Sequence, residues 1–251
     1  MSNTDKTPIT ILNAVNSITA STAPVLFLDT CAVLDVIRMP QRESIQNAVV
    51  SVTNEMVSKA SRNPKQLWIV AATMVINELN EKLETVEEDL VQHVKKVDRD
   101  LENLRVAANS LFSTPEIKPL KFGEMKIPHT LRTIADNLIE TAVLIAREND
   151  CKLRAGDRVA DGKRPSQKGK EEYKDCEIIE HYLEVSKQLR NRGFQEKCVF
   201  VSSNKNDFCE KNTTKIHPDL NTDFKEVGLE YVADIAWANY LIFAKPTLTQ
   251  E

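Results

Sequence analysis

Short unbroken apolar runs alternate along this chain with longer stretches in which apolar residues return every three or four positions. The runs Val25–Leu28, 67–70 and Cys198–Val201 read as buried strands, because a strand covered on both faces loses the alternation of a half-exposed one. Leu229–Val232 reads as a shorter fourth strand. The periodic stretches predict helices from strand one to about Arg38, then over 42–62, 73–111, 129–149, 173–192 and 233–243. A short helix around Ile11, Leu12, Val15 and Ile18 precedes them. In 73–111 the apolar positions Val75, Leu79, Leu83, Val86, Leu90, Val94, Val97, Leu101 and Leu104 keep helical spacing. That length exceeds the usual three or four turns of a globular helix, so it has room to extend past the sheet. Strands alternating with helices predict an α/β fold, with a central, mainly parallel sheet flanked by helices.

Composition narrows the class without naming it. With 41% hydrophobic and 28% charged residues, the 251-residue chain is an ordinary globular one. Six glycines and ten prolines suit a helix-rich protein. A formal charge of -4 gives no global basic field, so a nucleic-acid partner has to be met by a local patch. The stretch 151–174 offers one, with eight Lys and Arg side chains against four carboxylates. Its Gly and Pro content predicts a mobile loop, and Arg158, Lys163, Arg164, Lys168, Lys170 and Lys174 are its candidate phosphate contacts. A solvated charged insertion is the plainer alternative. Five cysteines are an odd number without zinc-ligand spacing, as in a reduced protein. The sequence shows neither a signal peptide nor an apolar run long enough for a bilayer. A cytoplasmic protein with no membrane partner is expected. Residues 1–22 read as an N-terminal segment and 23–251 as one domain.

Four carboxylates occupy special places. Asp29 ends the first strand, where α/β folds gather functional groups; capping the next helix is its alternative role. Glu78 lies one turn into the helix after strand two, and Asp175 opens the helix after the basic stretch. Asp207 follows strand three within a turn of Ser and Asn residues. In a parallel sheet all four can reach one edge. So many like charges repel unless cations intervene, and hard oxygen donors suit Mg²⁺ or Mn²⁺. Such ions activate water and stabilise phosphoryl displacement.

These segments resemble the motifs of the PIN-domain nucleases. Leu28-Asp29-Thr30-Cys31-Ala32-Val33-Leu34 is similar to the first motif, with Cys31 where Asn is usual. Asn77-Glu78-Leu79 resembles the second and Asp175-Cys176-Glu177-Ile178 the third. The run from Phe200 to Phe208, containing Ser202, Asn204 and Asp207, resembles the last. The wide gap between the second and third motifs resembles the longer stand-alone bacterial members. The resemblance implies a PIN-like three-layer α/β/α fold and an endoribonuclease whose catalytic, metal-binding acids are Asp29, Glu78, Asp175 and Asp207. It implies supporting roles for Thr30, Ser202 and Asn204, and Mg²⁺ or Mn²⁺ as cofactor. RNA is the expected substrate, with DNA left open, and the long helix offers a surface for a homodimer or a regulatory protein. A haloacid-dehalogenase-like phosphatase needs a second Asp where Cys31 stands, and no Gly-rich turn supports dinucleotide binding. The alternative from another class is a non-catalytic PIN-fold scaffold that binds RNA or protein.

Overall fold

The computed structural model describes residues 6–112, 118–169 and 172–244. Lys170, a candidate phosphate contact, lies outside them, as do both extremes of the chain. In chain order the helix α1 (Ile11–Thr19) leads to β1 (Val25–Leu28), α2 (Thr30–Arg38) and α3 (Val49–Ser61). Then come β2 (Trp68–Ala72), α4 (Thr73–Leu111), α5 (Ile127–Thr141), β3 (Val143–Ile145) and α6 (Asn149–Ala160). The remainder is α7 (Tyr173–Asn191), β4 (Cys198–Val201), α8 (Lys205–Phe208), α9 (Pro218–Val227), β5 (Leu229–Val232) and α10 (Ile235–Phe243).

Among the described residues the strands form one five-stranded sheet, ordered β3-β2-β1-β4-β5, with every pairing parallel. This is the expected α/β architecture, with helices on both faces. The central strands β1 and β4 bury every residue, as their unbroken apolar runs require. Register places Leu28 beside both Ala71 and Val201, so the three central strands end at one level. Asp29 follows that level directly, its amide bonded to the Val201 carbonyl at 3.1 Å.

Tyr182 of α7 ties those ends together from the core. Its hydroxyl donates to the Leu28 carbonyl at 2.5 Å and accepts from the Ala72 amide at 3.0 Å. Its ring packs on Phe27 and Phe200, which continues to Phe208 and Phe224. Burying one such ring contributes about 1.5–3 kcal/mol, so this cluster anchors α7, α8 and α9 to β1 and β4.

Three expectations are corrected. The 129–149 helix ends at Thr141, and Val143–Ile145 pairs with β2 as an edge strand. The stretch expected as a mobile loop opens as α6, with Cys151, Ala155 and Arg158 buried. The 42–62 helix begins only at Val49. The 39-residue α4 has the expected bounds. Its buried residues stop at Val94, and Leu104 and Leu111 stand exposed beyond. No helix among the described residues is long and apolar enough to cross a membrane.

Candidate active site

All four acids singled out in the sequence line one open cleft at the carboxyl edge of the sheet, together with Glu172, Lys82, Lys174 and Asn204. Parallel β1, β2 and β4 bring this about, because α2, α4 and α8 each start where a strand stops. Asp29 occupies the N-cap position of α2 but makes no capping hydrogen bond of ordinary geometry. Its carboxylate instead accepts from Ser202 Oγ at 2.6 Å. Ser202 Oγ in turn accepts the Asn204 amide at 3.1 Å, and Asn204 Nδ2 donates to Asp207 at 2.6 Å. One turn after β4 therefore fixes an acid on each side of itself.

Glu78 is held differently. Thr30 Oγ1 donates to its Oε2 at 2.6 Å, and Lys82, one turn later on α4, pairs with Oε1. Burial pushes the Glu78 carboxyl up, but these two donors outweigh it and leave the group below the ordinary range. Cys31 also lines the cleft, its thiol kept neutral by burial and by Asp29, Asp35 and Glu78.

The acids divide into two groups. Among the described residues, Glu172, Asp175 and Asp207 form the group that could hold a metal ion, each offering a carboxylate oxygen within 4.8 Å of the others. Asp29 and Glu78 flank this trio without joining it. Glu172 carries no strand-end or motif signal; it is the N-cap residue of α7, just before the first turn that carries Asp175. Asp175 is pushed up to about 8, first by burial and then by Asp29, Asp207, Glu78 and Glu172. Asp29 is raised to about 6 by burial, against the lowering effect of Ser202. Carboxylates crowded in this way repel one another, and the all-oxygen donor set fits a hard divalent ion.

The candidate phosphate contacts are scattered. Arg158 is 5% exposed, donating to Glu180 at 2.6 Å and Asp223 at 2.8 Å. Its Nη1 donates to the Arg164 carbonyl at 2.7 Å. Arg154 pairs with Glu180 and Glu184, and Lys163 with Asp223. Arg154 and Arg158 clamp α6 to α7, and Arg158 also ties it to α9. Lys174 pairs with Glu81, Lys168 is exposed, and Arg164 donates to the Asn206 carbonyl at 2.7 Å.

A family model described as PIN domain matches residues 26–208, which include all five acids and the Ser202–Asn204 turn. No curated protein and no solved structure gives a significant match. Since the match spans most of the chain and covers the strands and carboxylates that build the cleft, this protein belongs to the PIN-domain family, whose members are generally nucleases.

Proposed function

We propose that the chain is a Mg²⁺- or Mn²⁺-dependent endoribonuclease and that the acidic cleft is its active site. The observation that carries this reading is the convergence of Asp29, Glu78, Glu172, Asp175 and Asp207 on one open cleft. Glu172, Asp175 and Asp207 would hold the divalent cation, with Asp29 and Glu78 adding negative charge beside them. A bound cation supplies charge neutralisation at the scissile phosphodiester and lowers the pKa of water. The protein's own contribution is orientation. Asn204 fixes the Asp207 carboxylate, Ser202 fixes Asp29, and the Thr30–Lys82 pair sets Glu78. Hydrogen-bond partners of this kind change activity or metal affinity by about 10–100-fold in characterised sites.

A non-catalytic scaffold would have no need for five carboxylates kept close together, which speaks against that alternative. The test is incubation of labelled single-stranded RNA, structured RNA and single-stranded DNA with the protein in Mg²⁺, Mn²⁺ or chelator. Internal cleavage of RNA that requires the metal is the expected result. Cleavage of DNA alone would change the substrate class. Absence of cleavage in every buffer would contradict the enzyme reading.

A further inference from the structure

Directly behind α8 lies a second cleft, lined by Arg164, Lys205, Asn206, Lys211 and Lys215 among polar neighbours, with no carboxylate in its lining. Four cations converge there in a chain whose formal charge is -4. Lys205, Lys211 and Lys215 are exposed, and among the described residues none of the three pairs with a carboxylate. The contrast with 152–174 is direct, because Arg154, Arg158 and Lys163 there are taken up by Glu180, Glu184 and Asp223.

The segment that carries two of these lysines is a built hairpin. Cys209 and Ile216 pair in antiparallel fashion, and the Glu210 amide bonds the Lys215 carbonyl at 2.9 Å. Its turn is closed by Asn212 at φ 62°, a left-handed conformation that Asn tolerates better than other side chains with a Cβ. Lys211 and Lys215 thus stand on a fixed support. The cleft shares a wall with the acidic one, since Asn204 and Asp207 face the acids while Lys205 and Asn206 face the cations.

The geometry points to this basic hairpin cleft as the track for the RNA backbone on one side of the scissile phosphate. A strand seated among five carboxylates is repelled by them wherever no cation intervenes, so its flanking phosphates favour a nearby exit whose charged lining residues are all cations. The inference rests on the reading of the acidic cleft as a nuclease site. It moves the main phosphate grip from 152–174 to the segment after β4, with Arg164 the residue common to both.

The test compares Lys211→Glu/Lys215→Glu with Lys95→Glu/Lys96→Glu, an equal charge change on the exposed part of α4. Binding of a labelled single-stranded RNA is followed by anisotropy in chelator across a salt series, and cleavage kinetics are measured in Mn²⁺. The hairpin variant is expected to bind on the order of tenfold or more weakly at 0.1 M salt. Its log–log salt slope should shrink by about 1.4, or about 0.7 for each single-strand phosphate that the protein no longer neutralises. KM should rise far more than kcat falls, and the melting shift with Mn²⁺ should match wild type. Equal losses in the two variants, or a fall in kcat at unchanged KM, would overturn the inference while leaving the acidic cleft intact. A wild-type protein that neither binds nor cleaves RNA would overturn the nuclease reading and this inference together.

Discussion

At the scale of single residues, the acids are distinguished by what restrains each of them. Asp29 and Asp207 are fixed by one short turn through Ser202 and Asn204. Asp175 has the least relief from its neighbours' charge and is raised furthest, to about 8. Asp175→Asn, Asp207→Asn and Asp29→Asn are each expected to lower RNA cleavage by more than the roughly 100-fold typical of removing a supporting hydrogen bond, with circular dichroism unchanged. Asn204→Ala should fall within the roughly 10–100-fold range. Glu172→Gln belongs with the ligands if its place in the trio is functional; cleavage at the wild-type rate would remove it. The raised carboxyls also fix a pH dependence. Between the ordinary Asp value of 3.8 and about 8, the folded metal-free protein holds a proton on Asp175 that the unfolded chain has released. Its stability should therefore fall as pH rises across that window. Asp29 adds to the same slope up to about 6. Melts in chelator from pH 5 to 8.5 check this, and Asp175→Asn should flatten the curve. A wild-type midpoint that climbs with pH would contradict it. Of these residues, Asp29, Glu78, Asp175 and Asp207 were legible because each sits just after an apolar run or at a helix start. Glu172 was not, since a single Glu within a charged stretch looks like its solvated neighbours.

Elements show a similar division between what pattern reveals and what it hides. β1, β4, β5 and α4 have the bounds their hydrophobic patterns predict, because apolar burial is what forms them. β3 escaped because Leu138, Ala142 and Ile145 continue the helical period past the end of α5 at Thr141. α6 escaped for the opposite reason, since part of its inward face is a cation. Arg158 is buried because Glu180 and Asp223 meet it there, a partnership no hydrophobic pattern records. α9 did carry a signal, with Pro218 at its start, Leu220, Phe224 and Val227 on one face and Gly228 closing it at φ 63°. Two predictions belong here. Glu180→Ala leaves Arg158 buried with one of its two carboxylate partners gone, and a destabilisation of about 3–5 kcal/mol is expected for breaking such a pair. Denaturant unfolding measures it, and a loss below about 1 kcal/mol, typical of an exposed pair, would show that the clamp is superficial. Tyr182→Phe removes the partner of both the Leu28 carbonyl and the Ala72 amide. It should cost about 1–3 kcal/mol and also slow cleavage, because Asp29 follows Leu28 directly. Loss of stability with unchanged cleavage would confine Tyr182 to the core.

For the molecule as a whole, a parallel sheet sets strand ends at one level, and that edge carries both the acidic cleft and the basic one. Asp29, Glu78, Glu172 and Asp175 line the cleft on one side of α8, and Arg164, Lys211 and Lys215 line the cleft on the other. At an effective dielectric near 20, two like charges about 4 Å apart repel by roughly 4 kcal/mol before relaxation and screening. A fold that keeps Glu172, Asp175 and Asp207 within 4.8 Å of one another bears such a cost when no cation is bound. The most direct measurement is the thermal melting of wild type and Asp175→Asn in chelator and in Mn²⁺ at pH 8.5. Wild type should gain about 2.7 kcal/mol at a metal concentration a hundredfold above its dissociation constant. Asp175→Asn should melt higher than wild type in chelator and respond little to Mn²⁺. A wild-type melting curve indifferent to Mn²⁺, with Asp175→Asn no more stable in chelator, would show that these carboxylates do not form a cation site.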